Sequence, residues 1–313
     1  MKSKHTLPNV VTEPWKQDAA SDPSTRRTTG NLDSWSVNAT FWDKVVGEGN
    51  DMYQELVLPV VEELAEITPG SGECMIDLAT GNGIVARKMR ACMGDAGGGR
   101  VFSSDGCKEL LDLARERERM ALTLEGQEVG KLQPPGIEYI ELDLMDEGKM
   151  DEFAEEYAGA FDVITLIMAI LELPSLEPLA RLLPRILKPG TGRFIAVNLH
   201  PAFSKPAAHR VIEVLENPNT GQQETRHWIK SSAYLSIPPC SSQGIRDQPA
   251  AQTLFHRPLQ DVFMPFFATG KLTLDGFKEL AFQHEPDRAQ IQSYHNFPQF
   301  PMLIAFRLRV INT

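Results

Sequence analysis

Cysteine is scarce in this sequence, with four residues in a chain of 313. Cys74, Cys92, Cys107 and Cys240 form no CxxC pair, and none has a histidine at metal-ligand spacing. We therefore expect neither a disulfide framework nor a metal site. The four thiols are expected to be reduced and to behave as small hydrophobic side chains.

Positive charge is also in deficit. The chain carries 31 Lys and Arg against 42 Asp and Glu, which gives a formal net charge of -11. Proteins that follow a nucleic-acid backbone need clustered Lys and Arg, because their affinity comes from displacing counterions from phosphates. DNA and RNA are therefore not expected as substrates or partners.

Long apolar runs are missing as well. One of the longest, "VITLIMAIL" at 163–171, is broken by Thr165 and falls far short of the roughly 20 residues that span a bilayer. The first 30 residues mix acids with bases and lack the apolar segment of a secretory signal. We therefore expect a cytosolic protein without a membrane segment, in which residues 1–35 form a polar, mobile tail.

From residue 74 onward, strand-like and helix-like segments alternate. The segments "CMIDLA", "RVFSSD", "IEYIELDL", "FDVITLIMA" and "RFIAVNLH" have the apolar character of buried strands. Between them, "IVARKMRACM", "KELLDLARERERMALTLE" and "LEPLARLLPRIL" carry apolar residues at helical spacing. This order predicts a doubly wound, Rossmann-like α/β sheet that is mainly parallel, with ligands bound at the carboxyl ends of its strands.

The flanking segments complete the predicted domain, which spans residues 36–313. Residues 36–70 are expected to form a helical N-terminal cap of two helices joined by a turn. A Pro-, Ser- and Gln-rich stretch follows strand five, and we expect a helix and then an irregular lid within residues 201–257. After a helix in "PLQDVFMPFFATG", the segments "KLTLDGFKEL" and "MLIAFRLRV" would have to pair antiparallel, so the sheet ends with an antiparallel strand.

A glycine-rich turn follows the first strand in "MIDLATGNGIVARK". Gly81 and Gly83 let the backbone pass close to a ligand, and the next helix offers free N–H groups to an anion. The spacing also fits a dinucleotide-binding turn, with Ala86 in the third glycine position and Asp105 about 20 residues onward. The turn alone therefore leaves the nucleotide undecided.

Three features favour a different nucleotide. Asp77 lies inside the end of the first strand, Asp143 closes the third, and the sheet ends with an antiparallel pair. At these positions the chain resembles the class I S-adenosylmethionine-dependent methyltransferases, specifically the small-molecule group related to the ubiquinone-biosynthesis methylases. The matching segments are "IDLATGNG", "SSDGCKELLDLAR", "ELDLMD", "LKPGTGRFIAVNLHPAF" and "FHRPLQDVF", and the resemblance runs from about residue 41 to 310. Ala79 and Thr191 stand where the family often has glycine.

The resemblance implies S-adenosylmethionine as the cofactor. Asp77 would approach its ammonium group, and Asp105 would accept both ribose hydroxyls. Asp143 would accept a hydrogen bond from the exocyclic amine of adenine, while the Leu144 N–H donates one to a ring nitrogen. Each acid alone could instead be a solvated strand end or a helix cap. The full predicted cofactor site is Asp77, Gly81, Asn82, Gly83, Asp105, Gly106, Asp143, Leu144 and Met168.

The acceptor side is less defined. Methyl transfer needs a nucleophile in line with the methyl group, and a base only where the acceptor must lose a proton. Six histidines are candidates for that base: His200, His209, His227, His256, His284 and His295. We favour His200, directly after strand five, although it could instead fix the turn at Pro201. The residues predicted to contact the acceptor are Trp42, Tyr53, Phe203 and His256, and the aromatic ones could equally belong to the core.

The sequence thus predicts an enzyme that transfers a methyl group to O, N, S or C of a small molecule, with a secondary metabolite as the expected class. The fourth strand end lacks the Asn-Pro-Pro-Tyr run by which amino-methylases hold a planar nitrogen, which argues against nucleobase and glutamine substrates. Two alternatives stay open: a cofactor-binding protein that catalyses another step or regulates a partner, and a nicotinamide-dependent oxidoreductase. The oligomeric state is open too.

Overall fold

The computed structural model describes residues 29–94, 97–124, 136–283 and 290–311. The helices of these ranges are α1 (Thr29–Val46), α2 (Leu58–Ala65), α3 (Ile84–Met93), α4 (Lys108–Leu124), α5 (Glu147–Glu156), α6 (Glu177–Ile186) and α7 (Leu259–Phe267). The strands are β1 (Cys74–Leu78), β2 (Arg100–Asp105), β3 (Glu138–Glu141), β4 (Val163–Ile167), β5 (Arg193–Leu199), β6 (Ala208–Glu216), β7 (Gln223–Ser231), β8 (Cys240–Ser242), β9 (Gln252–Leu254), β10 (Leu272–Leu280) and β11 (Leu303–Val310). A π-helical turn, Met52–Val57, runs directly into α2.

Seven strands form one sheet in the order β10-β11-β5-β4-β1-β2-β3. The strands from β1 to β5 pair parallel, whereas β11 pairs antiparallel with both β5 and β10. The predicted Rossmann-like sheet with an antiparallel last strand is confirmed. The strand order reverses between β1 and β4, and open α/β sheets bind their ligands at such a switch point.

The inner strands of the sheet are buried on both faces, so they read as continuous apolar runs. Along β1, Ile76 and Leu78 face a cluster that includes residues of α5, α6 and α7, whereas Met75 faces one built by α2 and α3. This arrangement places helices on both sides of the sheet and leaves its carboxyl edge as the exposed place for a ligand.

The N-terminal helix starts earlier than expected. Helix α1 begins at Thr29 and is fixed to the strand segment around β9 by two side-chain amides. Asn31 accepts the Thr253 N–H at 2.9 Å and donates to its carbonyl at 3.1 Å, and Asn38 makes the same pair of bonds with Ala250 at 2.8 Å each. The predicted tail is therefore too long at its C-terminal end, and residues 1–28 lie outside the described residues.

The insertion expected after β5 is present, but the helix and the irregular structure predicted for it are wrong. The segment forms two antiparallel hairpins, β6–β7 and β8–β9, and residues 201–257 contain no α-helix. The hairpin β6–β7 is joined by backbone bonds over nine residue pairs, and most side chains of β7 are exposed. Because neither face of β7 is buried, its sequence lacks the apolar alternation from which a strand is predicted.

The described residues contain no candidate membrane helix and no metal-binding cluster, and their cysteines form no disulfide. No helix in the described residues is both long and apolar enough to cross a bilayer. In the same ranges, no three His, Cys, Asp or Glu side chains are grouped to hold a metal ion. All four cysteines are unpaired. The cytosolic location stays a prediction from the sequence.

Candidate functional site

A cavity of about 610 Å³ lies at the carboxyl edge of the sheet, over the switch point between β1 and β4. Helix α1 and the π-helical turn form one wall, and the segments around β8, β9 and β11 form others. The cavity brings together most of the predicted site residues: Trp42, Tyr53, Asp77, Gly81, Asn82, Asp105, Gly106, Asp143, Leu144 and Met168. Gly83, His200, Phe203 and His256 are not among the described residues that line it.

Asp77 lies at the base of the cavity with an exposed fraction of 1%. Its two carboxylate oxygens accept hydrogen bonds from the hydroxyls of Thr80 and Thr165, each at 2.6 Å. Burial raises the pKa of Asp77 to about 6, although these two hydrogen bonds oppose the shift. The pKa of the neighbouring Tyr53 is raised by burial and by the charge of Asp77. In the described residues no cation pairs with Asp77, so its charge faces the cavity uncompensated.

In the glycine turn between β1 and α3, Gly81 borders the cavity and Gly83 packs against the core. Gly81 has a φ of +59°, and an added Cβ would meet nothing within 4 Å, so its cavity side is open. Gly83, with φ +78°, packs against α4, where an added Cβ would lie 3.0 Å from the Ala114 Cβ. Asn82 lines the cavity, and its amide donates to the Asp43 carboxylate and to the Gly47 carbonyl. The space for a ligand is therefore in front of Gly81.

Asp105 and Asp143 line the next two strand ends. Asp105 accepts the Gly81 N–H with Oδ2 and the Cys107 N–H with Oδ1, both at 2.8 Å. Burial raises the pKa of Asp105 to about 6, and the Asp143 charge adds to the shift. Asp143 uses Oδ1 to accept the Met145 N–H at 2.9 Å. Each carboxylate oxygen has two lone pairs, so both acids keep acceptor capacity for a ligand.

A fourth acid, Glu172, lines the cavity, and sequence reasoning missed it. It ends a short 3-10 turn after β4 and accepts the Trp35 indole N–H with Oε2 at 2.5 Å. Burial raises the pKa of Glu172 to about 7, and the charge of Asp105 contributes. Perturbed carboxyl groups in a cleft are typical of functional sites. The one sequence signal was an acid close after a strand end, the same signal that identified Asp77 and Asp143.

Met168 makes the turn that carries Glu172 into place. Its φ of +60° is uncommon for a residue with a side chain, and its N–H donates to the Val197 carbonyl at 2.8 Å. Backbone held in this region by its surroundings often marks a functional site. Met168 lines the cavity as predicted.

The geometry of His200 argues against the role that we assigned to it. Its side chain is 2% exposed, and Nδ1 accepts the Ala202 N–H at 3.1 Å, which leaves the proton on Nε2 for Glu279 at 2.9 Å. Both ring nitrogens are thus engaged away from the cavity, and desolvation lowers the pKa of the ring. This is the turn-fixing arrangement at Pro201.

The other side chains predicted outside the cofactor site divide between cavity and surroundings. Phe203 packs beside His200 with ring centroids 4.7 Å apart, and His256 bonds to the Tyr234 carbonyl at 2.6 Å. In the described chain, His295 is the histidine that lines the cavity; His284 lies outside the described residues. His200, which directly follows β5 in the sequence, is therefore not the histidine that lines the cavity.

Comparison with known proteins supports the fold. No protein-family model and no curated protein matches the chain. A solved S-adenosylmethionine-dependent methyltransferase from Mesorhizobium loti is similar, with 19% identity, a TM-score of 0.52 and coverage of 80% of this chain and 96% of that one. A Listeria monocytogenes protein, described provisionally as an S-adenosylmethionine-dependent methyltransferase, gives 16% identity, a TM-score of 0.52 and coverage of 80% and 97%. At identities this low, the likeness establishes the Rossmann-like fold of methyltransferases and no particular subgroup.

Proposed function

We propose that this protein transfers a methyl group from S-adenosylmethionine to a small-molecule acceptor. The observation that carries the proposal is the convergence of Asp77, Asp105 and Asp143 in one cavity at the switch point of this fold. Two of these acids are buried without a cationic partner among the described residues, and their pKa values are raised to about 6. A ligand that carries positive charge would relieve that cost, and S-adenosylmethionine carries an ammonium and a sulfonium.

The side chains suit the parts of this cofactor. Asp77 would hold the ammonium group, and the open space at Gly81 would receive the chain between sulfonium and ribose. Asp105 would accept the ribose hydroxyls with the lone pairs that its two backbone bonds leave free. Asp143 and the Leu144 N–H would bind the adenine edge. The relationship to the ubiquinone-type group remains part of this proposal.

The chemistry left to the protein is alignment, exclusion of water and removal of a proton. When bound, S-adenosylmethionine supplies a methyl group on a sulfonium that is already a good leaving group. Glu172 is better placed than His200 to take a proton from an acceptor hydroxyl, since it lines the cavity and Trp35 fixes only its Oε2. Its pKa of about 7 suits a general base near neutral pH. We therefore propose Glu172 as the base.

The size of the cavity supports a small acceptor. Cavities of a few hundred cubic ångströms hold ligands of cofactor or drug size. Beyond the cofactor residues, the lining includes apolar side chains that suit a ring-bearing metabolite, and Trp42 and Tyr53 close the N-terminal side. These apolar positions are Leu199, Ile245, Phe282 and Met302. A secondary metabolite is the acceptor class that we propose.

Calorimetry with S-adenosylhomocysteine and with NADH tests the proposal. The wild-type protein should bind the former, and Asp105→Ala should weaken that binding by about 1 to 3 kcal/mol, because the ribose hydroxyls lose a charged acceptor. Asp112→Ala, which changes an exposed acid on α4, is the matched control and should bind normally. Since Asp105 also holds the Gly81 and Cys107 N–H groups, circular dichroism must confirm the fold. Binding of NADH alone would overturn the assignment.

A further inference from the structure

An arginine that pairs with no carboxylate of the described residues lines the cavity. Arg210 lies near the start of β6 and is half-buried. Within the described ranges, no Asp or Glu forms an ion pair with it. Besides the main cavity, it lines two neighbouring pockets of about 690 and 230 Å³. Arg210 is therefore at the point where these three spaces meet.

The guanidinium group of Arg210 is held in one orientation. Its Nε donates to the Gln292 carbonyl at 2.7 Å, and its Cζ lies 3.7 Å from the centroid of the Tyr294 ring. Stacking on an aromatic face and a bond at Nε fix the plane of the group. The two Nη groups make no hydrogen bond within the described ranges, so the edge that binds carboxylates in a two-point geometry is free.

The surroundings of Arg210 are positive in a chain with a net charge of -11. The smaller pocket beside it is also lined by the cation Lys205. Lys205 donates to Ser231 and to the Ala233 carbonyl, and no acid in the described part of the chain neutralises it. A negatively charged group is therefore favoured at this end.

The wall of the same cavity that the strand ends form is negative. Asp77, Asp105, Asp143 and Glu172 gather near the ends of β1 to β4, and the remaining acid of the lining, Asp51, lies 3.5 Å from His295. An acceptor with a single negative charge would be repelled by the acids at the strand ends and attracted to Arg210. Its uncharged end would then point toward the cofactor, which is the orientation that methyl transfer needs.

We propose that the acceptor is an apolar carboxylic acid whose carboxylate pairs with Arg210. This inference rests on the proposed function, because it identifies the acceptor of the same site. A carboxylate matches both the fork geometry and the single positive charge of one guanidinium, whereas a phosphate monoester would bring excess negative charge into an acidic cavity. The apolar body of the acid would contact Phe282 and Met302.

The test compares acids with their uncharged amides. Benzoate, 4-hydroxybenzoate and indole-3-acetate, each beside its primary amide, are titrated by calorimetry into the protein saturated with S-adenosylhomocysteine. At least one acid should bind about tenfold or more tightly than its amide. Arg210→Met should lose this preference and still bind S-adenosylhomocysteine. Arg226→Met, an arginine on the same hairpin that pairs with Glu224, should keep it.

Each result has a separate meaning. An equal affinity for acid and amide in all three pairs, or a preference that survives in Arg210→Met, refutes the carboxylate inference and leaves the proposed function intact. Failure of the wild-type protein to bind S-adenosylhomocysteine refutes the proposed function itself. Should Arg210→Met not fold, Arg210→Lys replaces it. Lysine keeps the charge without the fork, so the acid preference should fall without disappearing.

Discussion

Replacing Asp77 with Asn should stabilise the free protein and weaken cofactor binding at the same time. The carboxylate is 1% exposed, and its partners are the neutral hydroxyls of Thr80 and Thr165. Burial raises its pKa from 3.8 to about 6. Since a tenfold change in proton affinity corresponds to about 1.4 kcal/mol, keeping this carboxylate ionised in the folded protein costs about 3 kcal/mol.

The cost depends on pH in a defined direction. Well below the unfolded pKa of 3.8, Asp77 is protonated in the folded and the unfolded chain, and no cost arises. Between about pH 4 and 6 the unfolded chain loses the proton first, so the free energy of unfolding falls as pH rises. Asn does not ionise, and its amide can still pair with the two hydroxyls, because a hydroxyl both donates and accepts. The variant should exceed the stability of the wild type by less than about 1 kcal/mol at pH 4 and by up to about 3 kcal/mol at pH 8.

Urea unfolding at both pH values measures this difference in stability, and calorimetry measures the loss of cofactor affinity. Without a charge to meet the ammonium group, the variant should bind S-adenosylmethionine about 1 to 3 kcal/mol more weakly. Asp275→Asn is the control of opposite sign, because Arg307 and Arg309 hold the pKa of Asp275 below its usual value. That variant should be less stable than the wild type at both pH values, because the lowered pKa keeps Asp275 ionised in the folded protein at pH 4 as well. An Asp77→Asn protein that is less stable than wild type at pH 8, or that binds the cofactor equally well, would refute the reasoning.

Two further predictions concern the same cavity. Gly81→Val should fold, since a Cβ at this position meets nothing within 4 Å, but its branched side chain would fill the cofactor space at a positive φ. Calorimetry should therefore detect no binding of S-adenosylhomocysteine. Measurable binding would exclude this turn as the site. With a hydroxyl acceptor, Glu172→Gln should lower the single-turnover methylation rate by about 10² to 10⁴-fold, whereas His200→Asn should lower it less than about tenfold. The reverse order would restore His200 as the base.

The cofactor half of the molecule was largely predictable from the sequence. The segments quoted for α3 and β2 match the observed Ile84–Met93 and Arg100–Asp105. Strands buried on both faces and helices with an apolar side carry their burial pattern in the chain itself. The exception is α5, which was left unassigned, because its buried residues are few: Met150, Phe153 and Ala154.

The acceptor half was not predictable, and β7 illustrates the reason. Most of its side chains are exposed, and it is held by backbone bonds to β6. Backbone pairing leaves no mark on the choice of side chains when neither face is buried. The expectation of a helix and an irregular lid at 201–257 failed on this segment. Phe203 and His256 do not line the main cavity, although Phe203 lines the smaller pocket beside Arg210.

Sequence separation explains which site residues could be found. Each cofactor acid has one local partner beside a distant one: Asp77 accepts the hydroxyl of Thr80, three residues away, as well as that of Thr165. Asp105 accepts the N–H of Cys107, two residues away, as well as that of Gly81. A short motif records the local contacts. Glu172 is instead oriented by a tryptophan 137 residues away, and Arg210 by a carbonyl 82 residues away. The orientation of these two side chains depends on contacts with α1 and with the segment before β11, which form only in the folded protein. The local contacts therefore make the acids of the proposed cofactor site recognisable in the sequence, whereas the long-range contacts that orient Glu172 and Arg210 leave no short motif.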